Sequence, residues 1–368
     1  MKSLKWIVPA IAAIIFVMPA LSFAQELRVG GEIWNRWTYE SVKPEGSDAT
    51  TLKNYFALER GYFDLRPKFS ENTSGRFTVD MFSTDSQKDG AGLKLKYGFI
   101  DFNNLIPVPD MTLTAGLQKV YFGTIYDWDY SLITKAPTDE YKVANSADYG
   151  ITLNGQLPSG FGEYAVGVYN GEGYKAFGKT LNISPEFLAN IRLVPIAGVT
   201  LGGSFMTNSV DQDTCVVDAS KYQKQMLMDG MARLAYGPVD VWMEYIYKDV
   251  EYPNIADGSR DYTANGIMVM PILSLRSLIG SDIQLIGRYD RWDHTDNPKD
   301  KYLLNTITGG VNYNFMHDEK ESPKMQLQLN LVQKAYDEDE SSSSYAGKKK
   351  DTTTVMMQLK YKFSSTIK

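Results

Sequence analysis

Arginine and lysine recur along short stretches in which polar and apolar residues alternate. Arg28, Arg36, Arg60, Arg66, Lys94, Lys96, Arg192, Arg288, Lys360 and Lys362 fall on the polar side of these stretches. Acids share that side at Glu32, Asp64, Asp240, Glu244 and Asp290. Period-two alternation puts each polar set on one face of a strand. Charge repeated around one wall breaks no bonds. It sets a field that sorts ions by sign, and a mostly basic wall favours anions. A plainer role stays open beside this one, in which the charges only solvate a wet surface.

Covalent chemistry has little to work with. The two histidines, His294 and His317, each sit near the end of an alternating stretch. No serine lies beside a plausible base, and no histidine pair has metal-ligand spacing. The DEDE run at Asp337–Glu340 reads as a solvated loop rather than a cation site. No glycine-rich phosphate cradle precedes a helix. The expectation is therefore no enzyme, no metal, no cofactor and no nucleic-acid partner. The basic run Lys348–Lys350 could meet lipopolysaccharide phosphates, or simply keep a loop soluble.

One long stretch breaks the alternation. KVYFGTIYDWDYSLITKAPTDEYKVANSA, Lys119–Ala147, is aromatic, mixed in charge and without sustained periodicity. A loop of this length inside a compact domain is usually functional or disordered. Its candidate constriction residues are Lys119, Tyr126, Asp127, Trp128, Asp129 and Lys135. The tyrosines and the tryptophan could line a narrowing or pin the loop to a wall. The alternative is an external surface loop.

About sixteen alternating stretches must position these residues. The first runs from Leu27 to Glu40, the second from Tyr55 to Phe69 and the last from Thr352 to Phe363. Short Gly/Pro turns such as SENTSG, LPSG, VPIAG and YGPV follow the even-numbered stretches. Long polar loops follow the odd-numbered ones. A barrel inserted with one rim inward predicts this two-beat rhythm. In the last stretch Val355, Met357, Leu359, Tyr361 and Phe363 alternate with Met356, Gln358, Lys360 and Lys362. Lys or Arg at the bilayer midplane costs about 2–4 kcal/mol, so the polar set belongs inside. The expected fold is all-β: a closed antiparallel transmembrane barrel of about sixteen strands, with the third loop folded inward. Sixteen strands enclose a space too wide for side chains to fill, which is expected to be an aqueous channel.

The ends and the composition agree with export. Lys2 and Lys5, an apolar run from Ile7 to Leu21, and Ser22-Phe23-Ala24 form a cleavable secretory signal over residues 1–24. The barrel then occupies residues 25–368. Without the two signal lysines, 36 basic residues face 44 acidic ones, a net charge of −8. The lone Cys215 excludes an intramolecular disulfide framework. A closed sheet supplies the alternative restraint.

Two segments carry a resemblance. ALERGYFDLRPKF, Ala57–Phe69, is similar to the arginine-bearing second strand of the phosphate-selective porin O and P family of bacterial outer-membrane porins. LTAGLQKVYFG, Leu113–Gly123, resembles that family's strand leading into the constriction loop. Strand number and loop rhythm agree over the mature chain. The resemblance implies a homotrimer of barrels in the bacterial outer membrane, bathed in lipid and lipopolysaccharide, passing small ions and solutes by diffusion. The chain departs from the pattern in two places: its loop carries four acids against three bases, and SSTIK follows Phe363. A second function class remains: a plugged barrel serving as a sheath for a partner protein or as an outer-membrane enzyme.

Overall fold

A computed structural model describes residues 25–42, 50–105, 110–175, 184–210, 222–253, 260–296, 302–317, 323–338 and 350–367. Residues 1–24 and Cys215, and with them the expected signal segment, lie outside the described residues.

Sixteen strands follow one another. They are β1 (Glu26–Val42), β2 (Thr50–Lys68), β3 (Thr73–Ser83), β4 (Ala91–Asn103), β5 (Met111–Lys119) and β6 (Ala147–Leu157). Next come β7 (Gly162–Tyr169), β8 (Glu186–Ile196), β9 (Val199–Val210), β10 (Gln223–Tyr236) and β11 (Val239–Glu251). The last five are β12 (Tyr262–Ser274), β13 (Ile283–Asp293), β14 (Tyr302–His317), β15 (Pro323–Glu338) and β16 (Thr352–Ile367). Each pairs antiparallel with its sequence neighbours, and β1 closes on β16. That seam runs from Leu27 opposite Ile367 to Val42 opposite Thr352, so no strand edge is left open. The strand expected to stop at Phe363 carries its pairing on through SSTI. ILSLRSLIGS, ambiguous by periodicity, holds the one-turn helix Arg276–Ile279.

The barrel is inside out relative to a soluble protein. Gln328, Asn330, Asn312 and Gln358 are fully buried, while Leu329 and Leu331 between them are about half exposed. The buried amides satisfy one another: Gln358 Nε2 donates to Gln328 Oε1 at 2.9 Å. Apolar side chains facing outward in this way require lipid as their solvent, so the closed ring of strands is a transmembrane barrel.

Alternation alone misses part of the interior. Along β12, Met268, Met270 and Ile272 are buried inside while Ile267 and Val269 face out. The run GIMVMPIL is therefore apolar on both faces, as expected of a strand covered on both sides. What covers its inner face is the long segment after β5.

Candidate functional site

The third long loop, 120–146, crosses the barrel interior and is fastened to the far wall. Its elbow is Gly123-Thr124. Gly123 N donates to Ser204 Oγ on β9 at 2.9 Å, and Thr124 N and Oγ1 each donate to the Glu244 carboxylate on β11 at 2.9 Å. Gly123 has φ +53°, and a Cβ there would lie 2.4 Å from Glu244 Oε1. Glycine is required both for the turn and for the close approach.

Farther along, Ile133 N donates to Asn330 Oδ1 at 2.7 Å, and Asn312 Nδ2 to Ser131 O at 2.7 Å. Gln328 Nε2 donates to Ser131 O at 3.0 Å, and Lys360 Nζ to Tyr130 O at 2.7 Å. A one-turn helix, Pro137–Glu140, follows. Glu140 accepts from Lys334 Nζ on β15 at 2.8 Å. Burial alone would raise the Glu140 pKa, but Lys334 outweighs it and holds the carboxyl below its usual range. Tyr141 then stacks on Trp292 with centroids 4.7 Å apart.

Apolar packing completes the attachment. Val120, Phe122, Val143 and Ala144 of the loop join Leu188, Met206, Leu227, Ile246 and Leu304 of the wall in one buried cluster. Leu132 sits among Met268, Met270, Ile272 and Ile286 in a second. The interior between the loop and β8–β14 is thus partly dry, where strand alternation predicts water.

This attachment explains where three of the ten expected wall residues act. Arg192 donates to Gly123 O at 2.6 Å and pairs with Asp127. Arg288 pairs with Asp290 at 2.7 Å and donates to Lys135 O at 2.6 Å, with both carboxylate and guanidinium buried. Lys360 is buried beneath Tyr130, with the Trp34 ring 5.1 Å from its Nζ. These cations hold the loop.

Arg60, Arg66, Lys94 and Lys96 stand on the opposite wall, β2–β4, with Arg28 and Arg36 beside them on β1, while Lys362 on β16 pairs with Glu32 at 3.6 Å. Two of the three bulges in that wall lie beside the loop. Asn35 pairs with Leu58 and Trp34 with Arg60, leaving Glu59 as an extra residue on β2. Likewise Thr78 pairs with Tyr97 and Val79 with Leu95, leaving Lys96 extra on β4. A bulge lets two consecutive side chains leave the alternation and re-aims them. Glu59 pairs with Arg36 at 3.1 Å, and Arg60 donates to Tyr130 Oη at 2.9 Å. Lys96 Nζ donates to Ser146 Oγ at 2.5 Å, and Tyr97 lies 4.3 Å from the Arg76 guanidinium.

Two cavities open between the loop and this wall. One, of about 200 Å³, is lined by Glu59, Arg60, Asp80, Lys94, Lys135 and Asp139 among others. The other, of about 670 Å³, includes Arg66, Arg76, Tyr97, Lys119, Tyr121 and Tyr126. Along β2 and β4 the smaller lies nearer the long-loop rim and the larger nearer the short-turn rim. Lys94 pairs with Asp80 at 3.2 Å and Lys135 with Asp139 at 3.4 Å. Arg66 and Arg76 share Asp64, at 2.5 and 2.9 Å. Arg28 lies across β1–β2 from Arg66.

The remaining loop residues are mostly internal. Asp129 Oδ1 accepts from Ser131 N at 2.9 Å, and Trp128 Nε1 donates to Thr134 O at 3.1 Å. Tyr126 donates to Glu163 at 2.6 Å, and Lys119 Nζ lies 4.7 Å from the Tyr121 ring. The two histidines are at opposite ends of β13–β14. His317 pairs with Asp282 at 2.8 Å, and His294 stacks on Tyr302 at 4.7 Å. No cluster of three metal-ligating side chains occurs among the described residues.

Sequence reasoning missed Arg76, Tyr174 and Lys175. Arg76 could have been found, because it opens an alternating stretch. The other two lie in a loop with no periodicity to flag them.

No family model matches this sequence, and no curated protein does either. Solved structures do. The chain is similar to an anion-selective porin from Comamonas acidovorans, with TM-score 0.62 and 12% identity over 92% of this chain and 100% of that one. It is similar to the outer membrane channel DcaP of Acinetobacter baumannii, with TM-score 0.61 and 13% identity over 92% and 97%. It is also similar to OmpT, an outer membrane protein of Vibrio cholerae in trimer form, with TM-score 0.56 and 10% identity over 91% and 99%. At these identities the likeness is one of fold.

Proposed function

We propose that this chain is a passive diffusion channel for small hydrophilic solutes and ions, with a preference for anions. No chemical step is involved. Solutes pass between the third loop and the β2–β4 wall, through the two cavities in series. The observation that carries this reading is the charge balance of the smaller cavity. Its acids are each matched: Glu59 by Arg36, Asp80 by Lys94 and Asp139 by Lys135. Arg60, which lines it, and Lys96, buried behind its Ser146 and Tyr174, have no carboxylate within 4 Å among the described residues, and their partners are the neutral Tyr130 and Ser146. A narrow passage between low-dielectric walls magnifies such uncompensated charge.

The anion-selective porin among the structural neighbours supports the same sign of preference, and the trimeric OmpT supports a homotrimer seated among lipid and lipopolysaccharide. Planar-bilayer recording tests the proposal. The folded protein is expected to pass current, with a reversal potential in a salt gradient displaced toward the anion. The double variant Arg60→Gln/Lys96→Gln is expected to move that potential toward the cation by roughly a twofold change in permeability ratio. A silent protein would contradict the channel, and an unmoved potential would remove these two cations from it.

A further inference from the structure

We propose that the fourth long loop supplies a second selectivity element, with Lys175 as a charge-determining residue and Tyr174 as the residue that positions Lys96. The inference rests on the anion-preferring channel described above and adds a segment outside the constriction loop.

The described part of that loop, 170–175, is tied to the third loop where the latter rejoins the wall. Gly171 N donates to Asp148 Oδ2 at 2.7 Å, and Tyr174 N donates to Ala147 O at 3.1 Å. Asn208 Nδ2 on β9 donates to Gly171 O at 3.1 Å. Gly173 has φ +75°, and a Cβ there would lie 2.4 Å from Asn145 Cγ, so the turn presses directly on the third loop. These restraints bring the Tyr174 ring to 4.2 Å from Lys96 Nζ and 5.8 Å from Lys94 Nζ. Lys175 Nζ sits 5.4 Å from the same ring, and both residues line the 200 Å³ cavity.

The geometry gives each residue a task. Tyr174 offers its ring face to Lys96, an attraction that keeps the cation in place without cancelling its charge. Lys175 joins Arg60 in the lining of this cavity, with Lys96 buried behind Tyr174 and Ser146, and like those two it has no carboxylate within 4 Å among the described residues. Unlike those two it is exposed, on the side nearer the long-loop rim. It therefore acts on an arriving ion before the narrowest part does. An anion is drawn in by Lys175 and handed to Arg60, with the Lys96 charge behind Tyr174 adding to the field, while a cation meets repulsion at the entry.

The test is a charge rescue on the whole folded channel. In a Cys215→Ser background, Lys175→Cys is expected to lower the anion-to-cation permeability ratio by roughly twofold, as loss of one uncompensated charge from a focused field requires. A positively charged methanethiosulfonate reagent is expected to restore the ratio, and a negatively charged one to lower it further. Mass spectrometry confirms the labelling. If labelled protein shows no difference between the two reagents, or if the position cannot be labelled, Lys175 does not set selectivity. Parent protein without anion preference would instead overturn the proposed function. The split between reagents would still judge the residue.

Discussion

The two sides of this barrel's interior use the same residue types for different work. Toward β8–β16, Arg192, Arg288 and Lys360 are buried and bonded to loop carbonyls, and two apolar clusters pack against the same loop. Toward β2–β4, Arg60 and Lys94 line open space, and Arg60 and the nearby Lys96 lean on neutral oxygens rather than carboxylates. A basic residue on a luminal face is thus not in itself a pore residue. Its role depends on whether a loop group has already claimed it.

Removing a cation from each side should separate the roles. Arg288→Met has the largest expected effect. It leaves Asp290 as a buried charge without its partner and unhooks Lys135 O, at a cost of about 3–5 kcal/mol. The urea midpoint should fall, and single-channel current should become larger or noisier as the loop loosens. Arg60→Gln or Lys96→Gln on the other side should leave the midpoint nearly unchanged and move only the reversal potential. Equal stability losses on both sides would erase the distinction.

A smaller effect follows from pH. Partial burial strips water from the Lys175 ammonium, and Lys94 and Lys135 repel it, so its pKa lies below that of an ordinary lysine. The charged form is the one lost as pH rises. Anion preference should therefore weaken with increasing pH before a free lysine would titrate, near about 10.4. Lys175→Met should lack this share of the change. A parent whose pH profile matches that of the variant would contradict the assignment.

Much of the fold was legible in the sequence because lipid enforces it. Apolar and polar residues must alternate wherever one face meets hydrocarbon, and this located all sixteen strands, from Leu27 near the start of β1 to Phe363 in β16. The loop's inward path was suggested by its length and its place among shorter neighbours. Three features were less accessible. The bulges at Glu59 and Lys96 add one residue to a strand, and nothing in the local pattern marks them. The dry side was readable in principle, since GIMVMPIL keeps no polar face, but a run of that kind does not say what covers it. The division of Arg192, Arg288 and Lys360 from Arg60 and Lys96 was beyond reach. Alternation assigns a face and cannot assign a partner 65 to 230 residues away.

The most direct test asks which side carries the water. In a Cys215→Ser background, Lys94→Cys lines the smaller cavity, and Leu304→Cys sits in the apolar cluster behind the loop. A charged thiol reagent added during single-channel recording should change the current at residue 94 and leave it unchanged at residue 304. Rapid modification and block at residue 304, with no response at residue 94, would place the conducting path behind the loop and contradict the model of a channel along β2–β4.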